Sequence, residues 1–168
     1  KQQYAKGIPW LVESLRKLET RQPTYLIVFE EKGQLTQLAE KYRILELGWL
    51  DEPSSLVEAL TAADIFLMPS VAETAPTMAL EAMACGTPVI GSDTTAMPEM
   101  IRAPLAGVVV PVGSSEALTR AIDQLLGDDA QRTAMGMAGR RIVESEHSYD
   151  RYVERHLALY ESLVVKTT

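Results

Sequence analysis

The stretch PSVAETAPTMALEAMACGTPVIGSD, residues 69–93, decides the fold that we predict for this chain. Its middle part, from Ala75 to Cys85, is apolar at nearly every position and predicts a helix that is mostly buried. The apolar runs DIFLMPS and PVIGSD lie on either side of it, and each is typical of a buried strand. Two carboxylates interrupt this unit, Glu81 inside the predicted helix and Glu73 just before it. The stretch therefore predicts a strand–helix–strand unit that carries two acidic side chains in need of partners.

Short apolar runs alternate with amphipathic runs along the rest of the chain. We expect further strands in TYLIVF, RILELGW and GVVVPV. We expect helices over residues 7–19, 34–42, 54–62, 115–126, 130–146 and 149–164, and a short one near Met97. Strands that are apolar on both faces and alternate with helices indicate a parallel sheet covered by helices on both sides. We therefore predict a Rossmann-like α/β fold, in which ligands bind at the carboxyl ends of the strands. We expect three loops at this edge, over residues 1–7, 69–76 and 92–99.

The composition limits the partners that the chain can have. Its 168 residues are 46% hydrophobic, which fits one domain with a sizeable core, and its formal net charge is −7. We expect no nucleic-acid partner, because neutralising phosphates requires a surplus of Lys and Arg on one face. The single cysteine, Cys85, excludes an internal disulfide and a cysteine-based zinc site, and it favours a reducing, cytoplasmic setting.

The start of the chain predicts a piece of a longer protein. The first residue is Lys1 rather than Met, and the first predicted helix has no strand before it, although α/β units normally begin with one. We therefore expect that the strand opening this first unit is absent from residues 1–168.

The start of the apolar helix predicts an anion site. Thr74 is a suitable N-cap, and Pro76 suits the first helical turn because its missing N–H would have had no intrahelical partner. The N–H groups of Thr77, Met78 and Ala79 would then point out of the helix start without partners. Such a helix start, placed at the carboxyl ends of strands, favours a negatively charged ligand.

Each charged candidate also has a plain structural interpretation. Glu81 has no basic residue three or four positions away, so it either reaches solvent or meets a polar ligand. Glu73 can be explained by the helix dipole alone, and Lys6 can be an exposed loop lysine or the partner of an anion. His147 and His156 lie far from these loops in sequence, and we interpret them as surface or packing residues.

Three stretches together resemble the C-terminal, donor-binding domain of retaining nucleotide-sugar glycosyltransferases of group 1, also called family 4, the glycogen-synthase-like group. The stretches are KGIPWLVESL, LGWLDEPSSLVEALTAADIFLMPSVAE and ETAPTMALEAMACGTPVIGSD. The resemblance implies that residues 1–168 form one half of a two-domain GT-B architecture whose N-terminal acceptor domain is absent. One departure is that Thr94, Thr95 and Ala96 stand where the family has Gly-Gly.

The resemblance also implies a role for each candidate residue. Glu73 matches the catalytic carboxylate that contacts hydroxyls of the transferred sugar. The donor-binding residues that it implies are Lys6, Thr74, Thr77, Met78 and Glu81. Of these, Lys6 contacts the diphosphate together with the helix-start amides, and Glu81 accepts hydrogen bonds from the ribose hydroxyls. The implied reaction is a retaining, metal-independent transfer to an acceptor hydroxyl, with no cofactor besides the nucleotide-sugar donor.

The implied partners are the donor, the missing N-terminal domain and a saccharide or lipid-linked acceptor. The implied location is cytoplasmic, with membrane docking through the missing domain left open.

Two other interpretations of the function stay open. The first is a nucleotide-sugar epimerase of the same fold, which needs additional carboxylates and a histidine at the cleft. The second is a non-catalytic domain that binds a nucleotide or a partner protein.

Overall fold

The computed structural model describes residues 2–20, 22–29 and 33–164, which form five strands, eight α-helices and one 3₁₀ helix. The strands are β1 (Tyr25–Phe29), β2 (Arg43–Gly48), β3 (Phe66–Met68), β4 (Val89–Ser92) and β5 (Gly107–Val110). The helices are α1 (Gln2–Ala5), α2 (Ile8–Lys17), the 3₁₀ helix (Gly33–Leu38), α3 (Pro53–Ala62), α4 (Thr77–Ala84), α5 (Met97–Met100), α6 (Ser115–Gly127), α7 (Asp129–Glu146) and α8 (Tyr149–Val164). No helix in this described part of the chain is long and apolar enough to cross a membrane.

All strand pairs are parallel, as the sequence predicted. β1 pairs with β2, and Leu26 lies opposite Ile44. β3, β4 and β5 form a second group, in which β4 is central and Ile90 lies opposite Val108. Among the residues that the structure describes, the strands thus form two hydrogen-bonded groups, in the order β1–β2 and β3–β4–β5, rather than one continuous sheet.

Both strand groups lie in one layer between two layers of helices. On one side, β1 and β3 pack with α2 and α6 through Leu26, Val28 and Leu67. On the other side, the same two strands pack with α3, α4 and α7 through Phe29, Phe66 and Met68. The side chains of Leu60 and Ile90 are almost fully buried in this core, and each such burial contributes about 1.5–3 kcal/mol. The predicted Rossmann-like layering is confirmed.

Two predicted segments differ from the structure. Residues 34–42 were expected to be helical, and the helix found there is a 3₁₀ helix that ends earlier, Gly33–Leu38. Leu35 and Leu38 are both buried, and a spacing of three residues places them on the same side of a 3₁₀ helix, which has three residues per turn. The segment before Gly7 was expected to be a loop, but it contains the one-turn helix α1.

Helix α7 packs directly against the turn that follows α4. A Cβ atom placed on Gly136 would lie 1.9 Å from the carbonyl oxygen of Gly86. Since this neighbour is backbone rather than a flexible side chain, α7 would have to move away from the turn to accept any larger residue.

We expect Gly136→Ala to destabilise the domain by about 1–3 kcal/mol, because the added methyl group overpacks the contact between α7 and the turn. The free energy of unfolding, measured by chemical denaturation, checks this expectation. Gly127→Ala is the matched control, since a Cβ at Gly127 in α6 would meet no atom within 4 Å. Equal stabilities of the two variants would contradict the packing described here.

Candidate functional site

The turn before α2 is docked on the loop that follows β3. The N–H of Val71 donates to the carbonyl oxygen of Ala5 over 2.9 Å. At Gly7 the backbone has φ +74°, and a Cβ there would lie only 1.8 Å from the carbonyl oxygen of Pro69. Glycine therefore meets two requirements at once, a left-handed backbone and close approach to another chain segment. This contact places Lys6 beside the loop at the carboxyl end of β3.

Lys6 and Glu73 form an ion pair at this point. The Nζ atom of Lys6 lies 2.8 Å from Oε1 of Glu73, and the side chains are 54% and 14% exposed, respectively. Partial burial would raise the pKa of Glu73, but hydrogen bonds from Lys6 and Ser70 and the charge of Lys6 outweigh it, so the pKa lies below its ordinary value. Glu73 is therefore an ionised acceptor at neutral pH rather than a proton donor.

The backbone of Glu73 is held by the loop that follows β4. The N–H of Glu73 donates to Oγ1 of Thr95 over 3.0 Å, and the same hydroxyl donates to the carbonyl oxygen of Glu73 over 2.6 Å. The carboxyl ends of β3 and β4 are adjacent because these strands pair in parallel. The structure thus brings Lys6, Glu73 and Thr95 together from three separate segments.

The start of α4 differs from the prediction. The helix begins at Thr77 with Pro76 in the N-cap position, so Thr74 is not the N-cap and Pro76 is not in the first turn. Pro76 has φ −77° and ψ 68°, which is an inverse γ-turn, and the N–H of Thr77 donates across it to the carbonyl oxygen of Ala75 over 2.8 Å. The helix starts late because a residue that precedes proline is disfavoured in the helical region.

The predicted set of unpaired amides is therefore wrong in part. The N–H of Thr77 is occupied by the γ-turn, and that of Ala79 donates to the carbonyl oxygen of Pro76 over 3.0 Å. A donor role for the amide of Met78 stays a prediction. The helix start is less available to an anion in this conformation than the sequence indicated.

Glu81 lies on the exposed side of α4 and lines a shallow surface cavity of about 210 Å³. The cavity is lined by Thr77, Leu80, Glu81 and Ala84 of α4 together with Val143 and His147. It does not include Lys6 or Glu73, so the structure does not join the two carboxylates in one cluster. His147 was interpreted as a surface or packing residue. Its place in the same cavity as Glu81 could not be found from the sequence, because β4, α5, β5 and α6 separate α4 from α7.

The chemistry available is that of the Lys6 ammonium paired with the Glu73 carboxylate, and of the Glu81 carboxylate in a separate cavity on α4. An ammonium binds phosphate oxygens, and a carboxylate can accept hydrogen bonds from two hydroxyls at once. Among the residues that the structure describes, no group of three or more His, Cys, Asp or Glu side chains could hold a metal ion. The arrangement is therefore suited to a ligand that carries both phosphates and hydroxyls.

The family model described as "Glycosyl transferases group 1" matches residues 2–142 of the chain. The chain belongs to the group 1 glycosyl transferases. A mannosyltransferase of Corynebacterium glutamicum, named as GDP-mannose-dependent and acting on a monoacylated phosphatidylinositol monomannoside, is 36% identical over 170 residues. The match covers 94% of this chain and 44% of that relative. The chain thus spans less than half the length of the curated relative.

Two solved structures resemble this glycosyl transferase chain along most of its length. Sucrose-phosphate synthase from Thermosynechococcus elongatus has a TM-score of 0.82 and 26% identity, covering 97% of this chain and 43% of that one. The C-terminal domain of a group 1 family glycosyl transferase from Francisella tularensis has a TM-score of 0.74 and 23% identity, covering 87% of this chain and 82% of that one. The predicted resemblance to a C-terminal domain of this family is confirmed.

We expect the Lys6–Glu73 pair to stabilise the glycosyl transferase domain by up to about 1 kcal/mol near neutral pH. The pKa of Glu73 is lower in the folded chain than its ordinary value of 4.5, so this contribution is present above that value and is lost as the pH falls through the folded pKa. The difference in Tm between the unmodified chain and Glu73→Gln should therefore be constant near neutral pH and shrink below about pH 4.5.

Glu116→Gln is a suitable control for this titration. Glu116 is 77% exposed and pairs with Arg120 within α6, away from the site. Its difference in Tm should stay small at every pH, and the same small difference for Glu73→Gln would count against a stabilising ion pair.

Proposed function

We propose that this chain is the nucleotide-sugar-binding domain of a retaining, metal-independent glycosyltransferase. The single observation that carries the proposal is the Lys6–Glu73 ion pair, joined over 2.8 Å at the carboxyl ends of parallel strands. In such sheets this edge is where ligands bind. Lys6 can bind a phosphate group, and the ionised Glu73 beside it can accept hydrogen bonds from sugar hydroxyls. A sugar attached to a diphosphate carries both kinds of group.

Each residue of the pair has a separate task in this proposal. Lys6 turns to the diphosphate and stabilises the negative charge that develops on it as the sugar departs. Glu73 accepts hydrogen bonds from hydroxyls of the transferred sugar and holds the anomeric carbon in place. The bond between this carbon and the diphosphate oxygen breaks, and the acceptor hydroxyl attacks from the same face. Its proton passes to the departing phosphate. Because the new bond forms on the face from which the phosphate leaves, the configuration at the anomeric carbon is retained.

The helix start contributes after a local rearrangement. The amide of Thr77 is bonded to Ala75 across the γ-turn at Pro76, so this turn must open before Thr77 can donate to a phosphate. We propose that the diphosphate opens it, with the amides of Thr77 and Met78 and the hydroxyl of Thr74 as donors. Glu81 would hold the ribose hydroxyls in its cavity on α4.

The sugar acceptor and the opposite wall of the cleft belong, in this proposal, to an N-terminal domain outside residues 1–168. The relatives are more than twice as long as the part that the chain matches, which leaves room for such a domain. We propose a saccharide or lipid-linked acceptor, because the mannosyltransferase relative is named for a lipid-linked one. The single cysteine favours a cytoplasmic location.

We further propose that one more strand lies between β1 and β3. These two strands pack against the same helices on both sides, yet within the described residues they are not hydrogen-bonded to each other. Doubly wound sheets have the strand order 3-2-1-4-5-6, and the order found here is the same with its central strand left out. A parallel strand that is apolar on both faces would join the two groups.

This strand should slow amide hydrogen exchange at the facing edges of β1 and β3. We expect at least about tenfold slower exchange there in the full-length protein than in residues 1–168, because new hydrogen bonds protect those amides. The amides of β4 serve as the internal control, since this strand already pairs on both sides. Equal exchange at β1 and β3 in both proteins would rule out the added strand.

The epimerase interpretation gains one observation, the histidine that lines the Glu81 cavity. His147 lies there together with Glu81, and an epimerase of this fold needs a histidine beside carboxylates. Product analysis without an acceptor separates the two reactions, because an epimerase converts its nucleotide sugar alone. Conversion of the donor to an epimer under these conditions would favour the epimerase.

The two carboxylates should separate binding from transfer in the full-length protein. We expect Glu81→Ala to weaken binding of the nucleoside diphosphate by roughly 10–100-fold, since hydrogen bonds to a charged group contribute about 1.5–3 kcal/mol. Glu73→Ala should abolish transfer while the nucleotide still binds, because Lys6 is released from its ion pair. Calorimetric titration with uridine, guanosine and adenosine diphosphates, alongside a transfer assay, measures both effects.

Each variant is the control for the other, and Glu116→Ala on α6 is a neutral one. Binding of one base series would also identify the donor class. Unchanged transfer in Glu73→Ala would overturn the role of Glu73, and unchanged affinity in Glu81→Ala would overturn that of Glu81.

A further inference from the structure

The hydroxyl of Thr95 makes two hydrogen bonds to one residue. It accepts from the N–H of Glu73 over 3.0 Å and donates to the carbonyl oxygen of Glu73 over 2.6 Å. A hydroxyl can donate and accept at the same time, so its bonding capacity matches both backbone groups. The peptide groups on either side of the Glu73 Cα are thereby held, and with them the direction in which the side chain leaves the backbone.

The backbone of Thr95 is in a conformation that threonine rarely adopts. Its φ is +46°, in the left-handed region, where β-branched residues are genuine outliers. Such a conformation persists only where the surroundings hold it. The neighbouring loop supplies part of this hold, because the N–H of Thr94 donates to Ser92 and the N–H of Met97 donates to Thr94. The two hydrogen bonds between the Thr95 hydroxyl and Glu73 add to it.

Glycine would adopt the same backbone conformation without strain, but it has no hydroxyl. Threonine at residue 95 therefore strains the backbone, but its hydroxyl links the loop after β4 to the loop after β3. Lys6 holds the carboxylate of Glu73, whereas Thr95 holds its backbone. The side chain and the main chain of this residue are thus fixed from two different segments.

We propose that Thr95 is a positioning residue that aims the carboxylate of Glu73 at the transferred sugar. This inference rests on the proposed function, in which Glu73 contacts the sugar hydroxyls. In this proposal Thr95 acts through the orientation of Glu73, whose backbone it holds. A displacement of about 1 Å in a catalytic group can lower the rate by about a hundredfold.

The test uses four variants of the full-length protein. Thr95→Ser keeps the hydroxyl, Thr95→Val removes it at nearly the same shape, and Thr95→Gly removes it while relieving the strain. Thr94→Val alters the neighbouring threonine, which takes part in the loop through its backbone amide and carbonyl. Steady-state kinetics with the donor give kcat and KM, and a thermal melt checks that each variant is folded.

We expect Thr95→Val and Thr95→Gly to lower kcat by roughly 10–100-fold while the KM for the donor changes less than about threefold. Thr95→Ser should restore most of the rate, and Thr94→Val should behave like the unmodified protein. A folded Thr95→Gly variant with unchanged kcat would overturn the proposal. An equal loss in all four variants would also overturn it, because the effect would then be a general disturbance of the loop.

A second measurement does not depend on activity. Partial burial would raise the carboxyl pKa of Glu73, but the hydrogen bonds from Lys6 and Ser70 and the charge of Lys6 outweigh it, so this pKa lies below its ordinary value, and an NMR titration would follow it. In Thr95→Gly we expect this pKa to rise towards the ordinary value as the carboxylate loses its place, and an unchanged pKa would contradict the role of Thr95. If the pKa rises but the unmodified protein transfers no sugar from any donor, the proposed function fails while the hold on Glu73 stands.

Discussion

The turn before α2 lies so close to the loop after β3 that only glycine fits at residue 7. A Cβ there would come within 1.8 Å of the Pro69 carbonyl oxygen, and the left-handed backbone at Gly7 turns the chain into α2. The hydrogen bond from Val71 to Ala5 closes the same contact. Lys6 lies between Ala5 and Gly7, the two residues that contact this loop. The backbone contact therefore places the Lys6 ammonium next to Glu73. The ion pair, and the site proposed around it, depend on this approach of two backbones.

The described conformation satisfies its polar groups internally. Lys6 pairs with Glu73, and the amide of Thr77 is bonded across the γ-turn at Pro76. In the proposed function these are the groups that a nucleotide sugar would use, so the donor has to exchange existing bonds for its own. The net gain from each exchange is then modest, because a hydrogen bond replaces a hydrogen bond. In the proposed function, binding of the base and ribose supplies the free energy that opens the Lys6–Glu73 pair and the γ-turn at Pro76. Glu81 and its cavity then serve donor binding rather than the transfer reaction.

Parallel pairing explains why the site gathers loops from distant parts of the chain. β3 and β4 run in the same direction, so the loops that follow them emerge at the same edge of the sheet. Thr95 uses this proximity to hold Glu73, and the turn before α2 reaches the same edge from the start of the chain. The helices on the two sides of the strands supply the burial that fixes this edge, and one of them, α4, also carries Glu81 and the helix start that the proposed function uses.

The sequence by itself determined the α/β class, the parallel strands, the bounds of most helices and the candidate residues Lys6, Glu73 and Glu81. It could do so because apolar periodicity and motif spacing are local properties of the chain. Only the tertiary structure decided that Lys6 pairs with Glu73, that Thr95 holds the Glu73 backbone and that His147 lines the same cavity as Glu81. It also decided the 3₁₀ form of residues 33–38, where packing selects the turn. These outcomes depend on contacts between residues far apart in sequence, and no local pattern records which distant segments the fold will bring together.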